Sequence, residues 1–382
     1  MCRWSRRRTR RSTIRPPCAR SGACSARTRR RAAQDEQCGS FGCVRREQRG
    51  RHEDRNSAPT TARRAEVRAR DAEPRSEATI AADSDAWPLA CPVCGAHLHR
   101  TLRVFTCPAG HSFDAAREGY VNLLTPQHRE RGITGDTPEM LHARRRFLEG
   151  GFYRPMLDRV IADAALLLRS GRTAQENPLR SIVEVGCGEG YYIGGAAEAL
   201  QSHGAAEALQ SHGAAARFVG LDVSKPAVRL AAKRYPDIAF AVANVRRRLY
   251  LHSASVDVLL SIFAPRNPAE FARVVAPGGH LIVVIPAQSH LGSLRSQLGL
   301  IGVEEAKEER VIDQFRNSFT LVDRSRVEYP LELAADAVND LVMMGPNRWH
   351  QPAGGGQPDA GERTGEVETT ASFVLLRLAR SA

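Results

Sequence analysis

Long apolar runs are absent from this sequence of 382 residues. The longest, near VDVLLSIFAP and HLIVVIP, are far shorter than the roughly 20 apolar residues that a membrane-spanning helix needs. The N-terminal arginines are not followed by the apolar core of roughly 7 to 15 residues that a secretory signal requires. We therefore expect a protein that has no membrane partner and stays in the cytoplasm with its thiols reduced.

Lysine is absent from residues 1–86, where 22 arginines and 11 acidic residues give +11 of the formal charge of +13. Apolar periodicity is lacking as well, so this segment cannot bury enough surface to offset its chain entropy. We predict a disordered Arg-rich extension over residues 1–86. It is either a segment without function, produced by a start codon assigned too far upstream, or a basic arm that binds RNA. The interspersed acids favour the first interpretation.

Cysteines are few, and five of the nine lie at irregular spacing in the Arg-rich extension. A compact C-x2-C-x12-C-x3-H pattern is formed by Cys91, Cys94, Cys107 and His111. Two such knuckles across a hairpin can place four ligands around zinc, and four protein ligands leave no open position for a substrate. We predict a structural zinc site in a module spanning residues 87–125. The alternative, a redox pair, would need C-x-x-C within a βαβ unit. His97 and His99 are expected at the surface.

The remainder of the chain has two parts. Residues 126–175 are predicted to form a helical linker, with two helices broken at Gly150 and Gly151. In residues 176–382 strands alternate with helices, which predicts an α/β fold with a parallel sheet covered on both faces. The predicted strands are 181–186, 218–223, 238–243, 256–263 and 280–286, and ASFVLLRLA is predicted as a terminal strand.

A tandem duplication interrupts the first helix of this domain. AAEALQSHG occurs at 196–204 and again at 205–213. Nine residues are 2.5 helical turns, so a helix continued through both copies would rotate its apolar face half way round. We expect Gly204 or Gly213 to end the helix, with one copy looped out.

A glycine-rich turn, EVGCGEGYY (184–192), follows the first predicted strand and begins a helix. Glycines there let the backbone approach a ligand, and Asp222, at the end of the next strand, can accept both ribose hydroxyls of a nucleoside. The E-x-G-x-G-x-G form suits S-adenosylmethionine, which carries a sulfonium and no phosphate. The alternative is a structural turn. Cys187 is expected to be a packing residue.

Together these motifs resemble the bacterial large-subunit rRNA guanine-N1 methyltransferases, the RlmA group, whose Gram-positive branch includes tylosin-resistance enzymes. The resemblance runs from about residue 88 to the C-terminus and does not include residues 1–86. The matching stretches are CPVCGAHL, TCPAGHSFDAAREGYVNLL, GDTPEMLHARRRFLEGGFYRPM, VEVGCGEGYYI, GLDVSKPAVRLAAKRYP, FAPRNPAEFARVVAPGGHLIVVIP and DAVNDLVMMGPNRWH.

The resemblance implies a class I methyltransferase domain with a mostly parallel seven-stranded sheet, and an N-terminal zinc ribbon that recognises RNA. It implies a homodimer that methylates N1 of a guanine in a 23S rRNA hairpin loop, with macrolide resistance as a candidate consequence. By position it assigns zinc to Cys91, Cys94, Cys107 and His111. It assigns S-adenosylmethionine to Glu184, Gly186, Gly188, Tyr192 and Asp222. ANVRRRLYL (243–251) and the duplication depart from the family pattern, but we still expect Asn244 to face the adenine.

Methyl transfer to guanine N1 requires alignment of the reactants and loss of the N1 proton. The resemblance points to the loop FAPRN (263–267), where Phe263 is expected to stack on the base while Arg266 or Asn267 faces O6; the alternative is that Phe263 is a core residue. Arg103 and the arginines at 144–146 are candidate phosphate contacts, although a solvated helix face also explains the triplet. Two other functions stay open at this point: a methyltransferase for a small molecule, and a non-catalytic RNA-binding protein.

Overall fold

The computed structural model describes residues 86–101, 103–125, 135–170, 179–202, 215–345 and 366–381. These ranges belong to one compact unit, residues 74–382. Residues 1–85 of the predicted disordered extension lie outside the described residues. The second copy of the duplicated nonapeptide, residues 205–213, lies outside them too. Within the described ranges, none of the helices combines the length and the apolar composition that crossing a membrane requires.

The strands in the described ranges are numbered in chain order. They are β1 (Ala86–Ala90), β2 (His97–Arg100), β3 (Val104–Thr106), β4 (Ser112–Asp114), β5 (Val121–Asn122), β6 (Leu179–Val185), β7 (Ala215–Asp222), β8 (Ala239–Val242), β9 (Val256–Ile262), β10 (Val275–Pro286), β11 (Phe319–Leu333) and β12 (Val367–Arg380).

The helices in the same ranges are α1 (Pro138–Glu149), α2 (Arg154–Ser170), α3 (Tyr191–Gln201), α4 (Lys225–Arg234), α5 (Pro268–Val274), α6 (Gly292–Leu298), α7 (Lys307–Phe315) and α8 (Ala335–Met343).

The first four strands form a small antiparallel sheet in the order β1-β2-β3-β4. Its core side chains Leu89, Leu98 and Phe105 are fully buried. The two turns that carry the cysteines lie after β1 and after β3, on the same end of the sheet. This is the ribbon that the C-x2-C spacing predicts.

The large sheet has the order β11-β12-β10-β9-β6-β7-β8-β5 in the described part of the chain. Its strands from β10 to β5 pair in parallel, whereas β12 runs antiparallel to both β10 and β11. The five buried strands predicted from apolar runs and the terminal strand are all present. The predicted linker helices are present too, with Met156, Leu157 and Val160 buried on one face of α2.

The sheet has one strand more than the predicted seven. The additional strand is β5, where Val121 lies opposite Ala241 and the Leu123 N–H donates to the Val242 carbonyl at 3.2 Å. Val121 and Leu123 are almost fully buried. The C-terminal part of the predicted zinc module thus forms one edge of the large sheet.

The segment 243–251 packs against the ribbon. The Ala90 N–H donates to the Tyr250 carbonyl at 2.9 Å, and the His252 N–H donates to the Pro88 carbonyl at 3.0 Å. Leu249 and Leu251 are buried in a cluster that also contains Leu89 and side chains of the large sheet. The departure from the family pattern in this segment therefore lies at the junction between ribbon and sheet.

Helix α3 ends at Gln201 with Ser202 as its C-cap, inside the first copy of the duplicated nonapeptide. This is earlier in the chain than the predicted stop at Gly204 or Gly213. Ile193, Ala196 and Leu200 all lie on one apolar face of α3, and this face packs into the core.

Candidate functional site

The four predicted metal ligands come together at one end of the ribbon. The ligand atoms of Cys91, Cys94, Cys107 and His111 all lie within 4.8 Å of one another. The Cys94 and Cys107 Sγ atoms are 3.6 Å apart, and the Cys107 Sγ lies 3.3 Å from the His111 Nδ1. Sulfurs about 2.3 Å from a tetrahedral zinc would be about 3.8 Å apart, so the cluster has the size that zinc requires.

Two glycine turns hold this cluster. Gly95 and Gly110 have φ values of +78° and +85°, which favour glycine. Their N–H groups donate to the Cys91 and Cys107 carbonyls at 2.9 Å, which closes each knuckle. Burial opposes ionisation of Cys107, but hydrogen bonds from the backbone and ring of His111 outweigh it and lower the pKa of the thiol to about 6. A thiolate is the form that binds zinc.

His97 and His99 do not belong to this cluster. The His97 ring stacks on the His252 ring with centroids 3.4 Å apart, which is a contact with the segment under the ribbon. Both histidines are half-buried, in contrast to the predicted surface position.

The glycine-rich turn connects β6 to α3 at the carboxyl edge of the large sheet. Gly186, Gly188 and Gly190 all have positive φ, and a Cβ added at Gly186 would lie 2.6 Å from the Cβ of Ala264. The Gly186 N–H donates to the Leu221 carbonyl at 2.7 Å. The turn is thus held tightly against the ends of two strands, in a conformation that side chains would not permit.

Asp222 is held against this turn. Its Oδ2 accepts the Gly188 N–H at 2.9 Å, and its Oδ1 accepts the Ser224 N–H at 2.7 Å. Burial raises the pKa of Asp222, although both N–H groups act in the opposite direction. Each carboxylate oxygen has a further lone pair, so the group can still accept hydroxyls of a ligand.

Glu184 lies behind the turn and is 1% exposed. Its Oε2 accepts the Ile193 N–H at 2.9 Å, which fixes the start of α3. Burial raises the pKa of this carboxyl to about 8. The other oxygen, Oε1, is buried and has no hydrogen-bond partner among the described residues. Such an oxygen favours a positively charged neighbour.

A cavity of about 380 Å³ opens at this edge of the sheet. It falls in the range typical of small-molecule and cofactor sites. The residues that line it are Gly135, Asp136, Arg144, Leu148, Tyr153, Gly186, Cys187, Gly188, Glu189, Tyr191, Tyr192, Asp222, Val223, Ile262, Phe263, Ala264, Pro265, Pro286, His290, Met344 and Gly345.

Four of the predicted cofactor residues line this cavity, namely Gly186, Gly188, Tyr192 and Asp222. Two others are not among the lining residues. Glu184 lies behind the turn, and Asn244 follows β8, where its Oδ1 accepts the Arg246 N–H at 2.9 Å. Cys187 is buried, as predicted, and burial raises the pKa of its thiol well above the ordinary value.

Of the three predicted substrate-loop residues, only Phe263 lines the cavity. It is 42% exposed and has a φ of +53°, an unusual conformation for a bulky residue. Asn267 caps α5, and its Nδ2 donates to two carbonyls of the loop at 245–247. The Arg266 Nε donates to Gln314 at 3.0 Å. Both polar side chains thus have structural partners away from the cavity.

The three arginines of α1 all form ion pairs, two of them with residues outside the linker. Arg144 pairs with Asp136, Arg145 pairs with Glu189 at 2.7 Å, and Arg146 pairs with Asp340. Each guanidinium is bound to a carboxylate, and the Arg146 side chain is still 61% exposed. Sequence alone does not reveal these partners, two of which lie more than 40 residues away along the chain.

Two further cavity residues, Tyr153 and His290, carry no motif. Tyr153 lies just before α2, and His290 lies in the turn before α6. Their side chains are hydrogen-bonded to each other at 3.2 Å. The sequence signal for Tyr153 is its place in the family-like stretch at 135–156, and His290 lies just beyond the predicted strand at 280–286.

Comparison with known proteins gives the same two-part organisation. Residues 89–131 match the zinc-ribbon family described as RlmA, N-terminal, and residues 183–283 match a family described as a methyltransferase domain. Loganic acid methyltransferase with SAH has a TM-score of 0.45 at 10% identity, covering 65% of this chain and 98% of its own. This structural likeness is too distant to inform function.

Curated relatives are much closer in sequence. The 23S rRNA (guanine(748)-N(1))-methyltransferase of Streptomyces fradiae is 39% identical over 263 residues, which are 69% of this chain and 86% of that protein. A candidate 23S rRNA (guanine-N(1)-)-methyltransferase of Micromonospora griseorubida is 40% identical over 272 residues, with 69% and 87% covered. The chain therefore belongs to the 23S rRNA (guanine-N1)-methyltransferases, class I S-adenosylmethionine-dependent enzymes that carry an N-terminal zinc ribbon.

Proposed function

We propose that this protein transfers a methyl group from S-adenosylmethionine to N1 of a guanine in a hairpin loop of 23S rRNA, in the cytoplasm. The observation that carries the proposal is a single cavity that joins the glycine-rich turn and Asp222 to the exposed ring of Phe263. The activity named for the two curated relatives supports the same reaction.

The residues around the glycine-rich turn fit the methyl donor. Gly186 and Gly188 leave the turn open to close approach, and Asp222 retains lone pairs for the ribose hydroxyls. Glu184 lies behind the turn with a buried Oε1 that has no partner among the described residues, so we propose that its negative charge favours the ammonium group of the donor from the far side of the turn. Tyr192 forms part of the wall, and we assign the adenine to the side of Asn244. The donor supplies an electrophilic methyl group.

The cysteine cluster fits structural zinc. We propose Cys91, Cys94, Cys107 and His111 as its four ligands, because their donor atoms already lie at tetrahedral spacing. Zinc would stabilise the end of the ribbon where Cys91 and Cys107 join the hydrophobic cluster shared with the large sheet. It would have no part in the reaction, because four protein ligands leave no position for a substrate.

Phe263 is the proposed stacking surface for the target guanine. Its ring is exposed at the cavity although Phe is an apolar residue, and its positive φ is an observed strain at the site. N1 lies on the Watson–Crick edge, which is hidden in a paired helix, so the target base must be unstacked before it enters. An exposed aromatic ring beside the donor site provides a new stacking partner.

A second cavity, of about 640 Å³, supports an RNA substrate. Helix α4 presents Lys225, Arg229 and Lys233 to it at successive i, i+4 positions, and α1 adds His142. We call these four residues the basic groove. All four are exposed, and Arg229 also pairs with Glu118, another residue of this cavity, at 3.0 Å. Lys225 adjoins Ser224 and Asp222, so the basic groove lies next to the catalytic cavity. Cations in this position can hold the phosphates that flank the target nucleotide.

The test uses the full chain, S-adenosylmethionine and 23S rRNA transcribed without modifications, with nucleosides identified by mass spectrometry. We expect 1-methylguanosine at a single position within a hairpin loop. Donor binding without any methylated nucleoside would favour a small-molecule methyltransferase, and absence of donor binding would favour a non-catalytic RNA-binding protein. We further propose that the active form is a homodimer, which light scattering of the purified protein tests directly.

A further inference from the structure

Tyr153 and His290 face each other inside the catalytic cavity. The Tyr153 Oη lies 3.2 Å from the His290 Nε2, and both residues are buried. The Tyr153 ring lies 6.3 Å from the Phe263 ring, centroid to centroid, and packs edge-on against Phe373 at 4.8 Å. The tyrosine ring therefore lies beside the ring on which we propose the guanine stacks, and both residues line the cavity.

The protonation of His290 follows from its second hydrogen bond. The backbone N–H of Ser372 donates to the His290 Nδ1 at 3.1 Å. A backbone N–H can only donate, so Nδ1 must be the acceptor and a neutral ring carries its proton on Nε2. Nε2 then donates to the Tyr153 Oη. The hydroxyl proton of Tyr153 is not used in this hydrogen bond and can be donated to another group. No other hydrogen bond of this hydroxyl is present among the described residues.

Both groups are neutral near pH 7. Burial, together with the positive charges of Arg295 and Lys307, lowers the pKa of His290 to about 4. Burial and the neighbouring Tyr329 raise the pKa of Tyr153. Tyr153 is consequently a hydrogen-bond donor at neutral pH and not a base.

We propose that the Tyr153 hydroxyl donates a hydrogen bond to O6 of the target guanine and stabilises the negative charge that develops there, while His290 is a positioning residue that orients this hydroxyl. The inference rests on the proposed function and names the oxyanion donor of that reaction. A preorganised donor at the site of developing charge, held by a second group inside a buried pocket, is a strong electrostatic contribution to catalysis.

Methylation of guanine N1 begins with loss of the N1 proton. The N1 proton passes to water, and its bonding electron pair remains on the base, delocalised over N1, C6 and O6. The Tyr153 hydroxyl stabilises the charge on O6. N1 then attacks the methyl carbon in line, the new N1–C bond forms, and the electron pair of the old C–S bond stays on sulfur. The products are 1-methylguanine, S-adenosylhomocysteine and one proton.

The first test replaces one hydroxyl. Tyr153→Phe keeps the ring packing and removes the donor, and we expect kcat on 23S rRNA to fall by about 100- to 1,000-fold at neutral pH. The Kd for S-adenosylmethionine should change little, whereas the Tm should fall by a few degrees because the buried His290 Nε2–H loses its acceptor. Tyr329→Phe is the matched control, because its hydroxyl donates to the Phe152 carbonyl at 2.8 Å and does not line the cavity. Equal kcat in the two variants would overturn the proposal.

The pH dependence of kcat separates an oxyanion donor from a structural hydroxyl. A donor to O6 lowers the pKa of the bound guanine, so the wild-type rate should reach its plateau at lower pH than the Tyr153→Phe rate. The ratio of the two rates should be largest at low pH and should shrink as the base ionises without help. A constant ratio at every pH would contradict the proposal, because loss of packing does not depend on ionisation of the substrate.

The role of His290 is tested by a pair of substitutions. Glutamine can accept the Ser372 N–H and donate to Tyr153 through one amide, so His290→Gln should retain more activity than His290→Ala. In the Tyr153→Phe background, His290→Ala should cause little additional loss in kcat, because it acts through the missing hydroxyl. Additive losses would show that His290 does not act through the Tyr153 hydroxyl.

If wild-type protein formed no 1-methylguanosine at all, the proposed function would fail together with this inference. If the wild type were active and Tyr153→Phe were unimpaired, this inference alone would fail.

Discussion

Arg145 of α1 binds Glu189 of the glycine-rich turn with both its Nε and its Nη2, at 2.8 and 2.7 Å from the same carboxylate oxygen. The Glu189 side chain is only 2% exposed. Burial raises the pKa of this carboxyl, and the guanidinium of Arg145 opposes that shift. The linker helix is thus attached to the turn that we assign to the methyl donor.

Replacement of Arg145 by alanine should therefore destabilise the protein and weaken donor binding. Glu189 would be left buried without its partner, and we expect a loss of about 1–3 kcal/mol in the free energy of unfolding. Arg154→Ala is the control, because the Arg154–Asp158 pair is more than half exposed on both sides and should contribute about 0–1 kcal/mol. Denaturant unfolding of both variants measures the difference. Similar losses for the two would show that Arg145 does not support the turn.

The metal centre gives a second prediction. Cys94→Ser should lower the zinc content of the purified protein from about one ion per chain towards zero, since a hydroxyl is a poor substitute for a thiolate. Cys187→Ser removes a thiol outside the cluster and should leave the zinc content unchanged. Metal analysis of both proteins by mass spectrometry gives the answer. Full zinc occupancy in Cys94→Ser would exclude Cys94 as a ligand.

The elements of the large sheet were predictable because their signals are local. Buried parallel strands such as β9 are mostly apolar, and α2 has its apolar residues at helical spacing. The metal cluster was predictable for the same reason, because the spacing of its ligands is a short-range pattern. The glycine-rich turn and Asp222 are also short motifs at strand ends, and the structure brings them together at 2.9 Å.

What could not be predicted depends on contacts between distant segments. Strand β5 has only two residues, which is too short for any periodicity to appear. The partners of the α1 arginines, and the hydrogen bond between Tyr153 and His290 across 137 positions, are set by packing of the whole domain. Asn267 was assigned to the substrate because it follows a strand, whereas a helix N-cap is an equally common role for asparagine there.

Glu184 predicts a pH dependence of donor binding. Its pKa of about 8 in the ligand-free protein means that the carboxyl is mostly protonated at pH 7. A cationic ammonium group bound in the cavity on the other side of the turn would favour the ionised form of Glu184, so binding should release a proton. We expect affinity for S-adenosylmethionine to rise between about pH 6 and pH 8, and Glu184→Gln to abolish the rise. Calorimetry at several pH values measures both quantities. An equal pH dependence in the variant would show that ionisation of Glu184 does not affect donor binding.

The same pKa shift predicts how stability changes without ligand. A carboxyl whose pKa is raised in the folded state above the ordinary value of 4.5 stabilises the fold fully below that value, and this contribution is lost as the pH rises through about 8. Ligand-free wild type should therefore lose stability between about pH 5 and pH 8 relative to Glu184→Gln. Thermal unfolding of the two proteins across this range tests the sign. A variant that loses more stability than wild type over the range would contradict the assignment.

The basic groove predicts a selective defect in RNA binding. Lys233 is exposed on α4, and reversal of its charge by Lys233→Glu places a carboxylate where we expect a phosphate. The KM for 23S rRNA should rise at least several-fold, and the dependence of binding on salt should become shallower by about one counterion, because one phosphate contact is lost. The Kd for S-adenosylmethionine should not change. Arg316→Glu is the matched control, since Arg316 is 70% exposed at the end of α7 and outside the groove. Equal effects of the two reversals would mean that RNA responds only to net charge, whereas a defect confined to Lys233→Glu would place the flanking phosphates in the groove beside the catalytic cavity.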